Sequence, residues 1–175
     1  TPRDPVERGQ MRSMMRYIDE VPAPAIRVPS YNLAFLPHFQ VMSEEEFQAL
    51  ADSKPLRKEF LLKMGRTGFP HAEMDEALGR LARSVERMDA WIAESGGPFL
   101  QGTRMTLADI MVMPVIVRMD DINLHTMWAD RPRVAEWLAA VRAHPAFQVT
   151  YYPGSLLTEK YPHLARLREE RTRDA

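Results

Sequence analysis

The side chains able to do chemistry are few and scattered. The 175 residues contain no cysteine. That excludes a thiol nucleophile, a thiolate zinc site, an iron–sulfur cluster and a disulfide framework within this chain. It also removes any argument for an oxidising compartment. His38, His71, His125, His144 and His163 are far apart and form no i, i+4 pair, so no metal site is expected. Asp120 and Asp121 are neighbours and diverge on a helix. They read as a solvated helix end rather than an acid/base pair. No glycine-rich phosphate cradle and no nucleophile elbow is present. Arg118 follows the apolar run Ile110–Val117 and must find water, a cleft or a partner. Asp121, at i+3, is able to satisfy it as an ordinary helix pair.

Charge and hydropathy narrow the field. There are 23 basic and 24 acidic residues, a net charge of -1, which leaves no electrostatic footprint for nucleic acid. The run Ile110–Val117 is far too short to span a bilayer. No opening segment has the order of a signal peptide. The 14 prolines and 12 methionines are the compositional outliers.

Helical periodicity dominates, and strand signals are nearly absent. A first helix is expected over Asp4–Glu20, with Asp4 as N-cap and Pro5 in the first turn. Met11, Met14, Met15 and Ile18 form its stripe. Val21–Val41, with Pro22, Pro24, Pro29 and Pro37, reads as an irregular segment. Its Tyr31, Phe35, Leu36 and Phe39 should pack on the core or wall a cleft. Ser43–Glu46 reads as a capping box opening a short helix to about Ala51. Another runs over about Leu56–Met64.

The longest helix is expected over about His71–Glu94. Met74, Leu78, Leu81, Val85, Met88 and Ile92 recur at spacings of 4, 3, 4, 3 and 4. An intramolecular bundle seam is favoured over a dimer seam. A further helix over Thr106 to about Ile122 is apolar nearly all round and belongs in the middle of a bundle. Asp130 should cap the next helix, with Pro132 in its first turn, and Pro145 should close it. A short turn follows through Phe147, Tyr151, Tyr152 and Pro153, then a charged helix over about Leu164–Arg173. The sum is one all-α domain over residues 1–175, a bundle of about six to eight helices.

Arg104–Ile110 is the most informative motif. Thr106 as N-cap should accept from the amide of Asp109, and the Asp109 carboxylate should reach back to the amide of Thr106. Met105 and Ile110 take the two positions of a hydrophobic staple. A structural role for Thr106 and Asp109 is strongly preferred over a catalytic one.

Phe99-Leu100-Gln101-Gly102, Thr106-Leu107-Ala108-Asp109, Pro114, Arg131–Trp137 and His144-Pro145-Ala146-Phe147 stand in an order that resembles the helical C-terminal domain of cytosolic glutathione transferases. Pro2–Ile18 resembles that domain's first long helix and Met74–Ile92 its second. Val21–Phe69 is longer and richer in proline than the usual link. The class therefore stays open, a bacterial etherase-like branch being one candidate.

The resemblance implies an electrophile-site domain, with a thioredoxin-like, glutathione-binding domain upstream that carries the thiol-activating Ser, Cys or Tyr. The isolated chain is then expected to be inactive and to hold no catalytic residue. Glutathione is implied as co-substrate, with no metal. A homodimer, a small-molecule electrophile, a cytoplasmic location, and no nucleic acid or membrane partner are also implied. Arg16 stands where related bacterial enzymes place a polar residue near glutathione, and Arg118 where they present a large residue to the electrophile. Met15, Tyr17, Tyr31 and Asn32 complete the candidate substrate-binding set. A non-enzymatic helical interaction module of the same family is the alternative.

Overall fold

The structure, a computed structural model, describes residues 1–166. One carboxylate oxygen of Asp4 accepts from the amides of Val6 and Glu7, at 2.8 and 3.0 Å, and opens α1 (Pro5–Glu20). The chain beyond it is helical where an irregular segment is expected. It runs through α2 (Pro22–Ala25), α3 (Arg27–Ser30), a π-helical turn (Tyr31–Phe35) and α4 (Leu36–Gln40). The reason is where the prolines fall. Each lies in the first turn of a short helix, where its missing N–H has no helical partner to lose. Pro37 cannot donate back to the Leu33 carbonyl. The imidazole Nε2 of His163 lies 2.9 Å from that oxygen and takes the vacant place. In the π turn the amide of Leu36 donates to Tyr31, five residues back.

Ser43 and Glu46 form the expected reciprocal box, at 2.7 and 3.1 Å, at the head of α5 (Glu44–Asp52). A single turn, Pro55–Arg57, leads into α6 (Lys58–Met64). Then come α7 (His71–Ser95), α8 (Leu107–Asp121), α9 (Pro132–Ala143), α10 (Pro145–Thr150) and α11 (Leu157–Lys160). Among the described residues no strand forms. The region expected to be a turn after Pro145 is α10. His144 caps it, its Nδ1 accepting from the amide of Ala146 at 3.2 Å. Arg131, not Asp130, occupies the N-cap of α9, without a side-chain bond to the helix. Most of the expected charged tail lies outside the described residues.

Two cores share the chain. In the main one α1, α7, α8 and α9 bury Met11, Ile18, Leu81, Met88, Ile116 and Trp137. Leu81, Val85, Met88 and Ile92 of the α7 seam are consumed there, so this stretch packs within the chain. A second, smaller core joins α4, α5 and α6 through Phe39, Phe47, Ala51, Leu61 and Met64, with Phe69 from the next loop. Phe35 packs against both. Fully burying a side chain such as Leu61 or Phe47 contributes about 1.5–3 kcal/mol.

The start of α8 is held by one carboxylate. Asp109 is fully buried. Its Oδ2 accepts from the Thr106 amide at 2.8 Å and the Thr106 hydroxyl at 2.9 Å. Its Oδ1 accepts from the Leu100 amide and the Trp137 indole N–H, both at 2.9 Å. Three segments therefore meet on one side chain: the loop before α8, the helix itself and α9. The positive end of α8 adds to the stabilisation of the charge.

The other end of α8 differs from expectation. Asp120 and Asp121 are buried, not solvated. Asp120 pairs with Arg142 of α9 at 2.5 Å. Asp121 accepts from the amides of Leu157 and Thr158, at 2.7 and 3.0 Å, and from the Thr158 hydroxyl. It thereby caps α11 from a distance. Asn123, whose φ is positive (65°), ends the helix and donates to the Leu164 carbonyl at 2.9 Å. Nor is α8 wholly interior. Leu107 and Ile110 are 42% and 49% exposed, and Pro114 is exposed beside them.

Asp109→Ala leaves two amides and an indole N–H buried without their partner. The expected loss is about 3 kcal/mol or more, seen in chemical denaturation. Trp137→Phe keeps most of the ring, removes one donor and should lose about half as much. Equal stability of Asp109→Ala and the parent would contradict the geometry.

Candidate functional site

Two of the molecule's concave surfaces hold the candidate residues Tyr17, Tyr31 and Arg118. The first is an open groove of about 700 Å³ between α1 and α7. Tyr17 and Trp91 meet edge to face there at 5.6 Å, and the Arg87 guanidinium lies over both rings. The Tyr17 hydroxyl is 3.3 Å from Ser84 Oγ. Glu7, Glu94 and Arg87 put both signs of charge on its walls.

The second is a pocket of about 570 Å³ at the junction of the two cores. One wall is the outward face of α8: Met111, Pro114, Val115 and Arg118. Opposite stand Tyr31 and Phe35 of the π turn and Phe60 of α6. Ala23, Ile26 and Ser30 close one side, and Arg27 and Arg57 stand among the lining residues. The volume suits a small organic molecule, and the wall is apolar with a few convergent polar groups. This is the candidate site.

The helices around it explain why these side chains converge. A turn of α8 brings Met111, Pro114, Val115 and Arg118 to one side, at spacings of three and four. Tyr31 is held by three rings, Phe35, Phe39 and Phe60, with centroids 5.0, 6.3 and 4.8 Å away. Asn32 fixes the turn that carries it. Its amide donates to the Phe69 carbonyl at 3.0 Å and its carbonyl accepts from the Phe69 amide at 2.8 Å. Gly68 permits that approach. Its φ is +85°, and a Cβ there would lie 2.8 Å from Leu36 and 2.9 Å from Asn32 Oδ1.

Arg118 is half-buried. It makes no ion pair with Asp121, whose oxygens are turned to α11. Its charge reaches the Tyr151 phenol instead. Burial pushes that phenol above its usual range, Arg118 draws it back and Asp121 adds to the rise.

Of the six candidate residues, the pocket brings together Tyr31 and Arg118. Asn32 is a brace behind Tyr31, not part of the lining. Tyr17 lies in the α1–α7 groove. Met15 is half-buried against the main core. Arg16 is on the surface, its side chain 74% exposed and paired with Glu20 one turn on. Sequence reasoning missed Phe60, Arg27 and Arg57: Arg57 and Phe60 are one turn apart, but they reach Arg27 and α8 only through the packing of the fold. The face Met111–Pro114–Arg118 was legible in principle from helical spacing.

Residues 72–140, from α7 into α9, match the family described as "Glutathione S-transferase, C-terminal domain". The resemblance stated from the motifs is thereby borne out. Among individual proteins, the chain is 25% identical over 157 residues to "Protein LigF" of Sphingobium sp. (strain NBRC 103272 / SYK-6), covering 84% of this chain and 59% of that protein. It is 33% identical over 97 residues to "Glutathione S-transferase omega-like 2" of Schizosaccharomyces pombe, covering 49% of this chain and 30% of that protein. The crystal structure of the beta-etherase LigF from Sphingobium sp. strain SYK-6 superposes with a TM-score of 0.70 at 23% identity, over 85% of this chain and 63% of that one. This chain thus spans little more than half the first of these relatives and under a third of the second. Among the described residues, no cluster of three or more His, Asp or Glu is placed to hold a metal, and no helix is long and apolar enough to cross a membrane.

Gly68→Ala should cost about 1–2 kcal/mol by chemical denaturation, from the left-handed backbone. Asn32→Ala should also destabilise. Because both act on one brace, the double variant should lose less than the sum. Full additivity would show that they do not share it.

Proposed function

We propose that this chain is the electrophile-binding half of a glutathione-dependent transferase. The observation that supports it most is the pocket between α8 and the Tyr31–Phe60 wall, on a glutathione S-transferase C-terminal domain. In this reading a thioredoxin-like domain upstream binds glutathione and favours its thiolate. The sulfur forms a bond to an electrophilic carbon, and the electron pair of the broken bond departs with the leaving group. The thiol proton goes to solvent or to a base on that upstream domain.

The chain's own task is placement, which is able to lower a barrier by several kcal/mol, up to about 7–11 in well-oriented cases. Tyr31, Phe35, Phe60 and Met111 hold the apolar body of the electrophile. Arg118 marks the polar end. Arg16 is positioned to exchange its exposed Glu20 pair, worth little in water, for a glutathione carboxylate. Met15 and Tyr17 brace α1 on either side of it, and Asn32 keeps Tyr31 in register. The exposed apolar row of Leu107, Ile110 and Pro114 is where the upstream domain would rest, and the α1–α7 groove is the face offered to a second copy in a homodimer. A cytoplasmic enzyme fits this reading.

The full-length protein should conjugate glutathione to 1-chloro-2,4-dinitrobenzene, and the 175-residue chain alone should not. Arg118→Ala should raise the electrophile KM about fivefold and leave the glutathione KM unchanged. Turnover by the chain alone, or a change confined to the glutathione KM, would contradict the division of labour.

A further inference from the structure

Three guanidiniums line the α8 pocket, from Arg27, Arg57 and Arg118, and no carboxylate lines it. Among the described residues, none of the three has an ion pair or a hydrogen bond. Several other arginines do meet carboxylates: Arg16 meets Glu20, Arg80 Glu76, Arg133 Asp89 and Arg142 Asp120. Arg118 even has a carboxylate at i+3, and Asp121 is committed to the amides of α11 instead. The three cations approach from three different elements. Arg27 is on α3, Arg57 precedes α6 and Arg118 is in the last turn of α8. The wall between them is aromatic and aliphatic: Tyr31, Phe35, Phe60, Met111 and Val115.

We infer that this pocket takes an aromatic substrate that bears an anionic group, a carboxylate or phenolate, which the arginines hold while the rings and Met111 clasp its body. The inference rests on the electrophile-site reading above and narrows it to a substrate class. Guanidinium meets a carboxylate through paired N–H donors, a strong and directional contact. Tyr31 and Phe60 offer ring edges and faces to an aromatic body. A neutral aromatic would satisfy the wall and leave the cations to water. A glutathione carboxylate would satisfy the cations and leave the wall empty.

The test uses the full-length protein and two probes of one shape, 2-naphthoate and 2-naphthylmethanol, with Kd measured by calorimetry. The expected result is tighter binding of naphthoate by about tenfold or more, a difference that shrinks with added salt. Arg27→Gln with Arg57→Gln, both at exposed positions, should reduce the preference, and Arg118→Met should reduce it further, with unchanged Tm. Arg118→Lys should restore part of it. Saturating glutathione should leave naphthoate bound. Equal affinity for the two probes, a preference untouched by these variants, or displacement of naphthoate by glutathione would overturn the inference. Conjugation of 1-chloro-2,4-dinitrobenzene by the same sample separates the two claims. Conjugation without naphthoate preference sinks the anionic substrate alone. Naphthoate preference without conjugation supports the anion pocket and sinks the transferase reading.

Discussion

The carboxylate of Asp109 accepts from two backbone amides, a hydroxyl and an indole, all within 2.9 Å, with no solvent access. A buried charge is tolerated only when its lone pairs are filled, and here they are filled by groups from three segments. The loop at Leu100, the first turn of α8 and Trp137 of α9 cannot move independently without exposing or orphaning one of them. The constraint sets where α8 begins and how it is rotated. Everything on the far face of α8, including Met111, Pro114, Val115 and Arg118, inherits its place from that rotation.

A second device works from the other side. The α4–α6 stretch builds its own small core and, with the π turn before it, offers Tyr31, Phe35 and Phe60 to α8. Asn32, clamped on the Phe69 backbone, and His163, beside the Leu33 carbonyl, tie that edge down. The pocket therefore lies between two separately stabilised bodies. Such a seam is well suited to recognition, because each wall is rigid and the space between them need not be filled.

The long elements were legible because their signals are local. Asp4, the Ser43–Glu46 box and the Thr106–Asp109 box each announce a helix start within four residues, and the α7 seam follows from spacing. Two of the donors on Asp109, Leu100 and Trp137, lie 9 and 28 residues away and leave no local trace. Val21–Val41 misled for a definable reason. Proline marks both irregular chain and first helical turns, and only the alignment of successive short helices tells them apart. The acidic pair at Asp120 and Asp121 misled because a charged doublet usually faces water. Here one member bridges to α9 and the other caps α11, contacts that span 22 and 36 residues. For the site, Tyr31 and Arg118 were reachable from sequence, while Arg27, Arg57 and Phe60 depend on how the second core docks.

Amide hydrogen exchange on the full-length protein reads the Asp109 junction most directly. The Leu100 and Thr106 amides and the Trp137 indole proton should belong to the slowest class, opening only with global unfolding and tracking stability as denaturant is added. Rapid, denaturant-independent exchange at these three protons, while the interior of α7 stays protected, would show that the junction does not hold α8 in place.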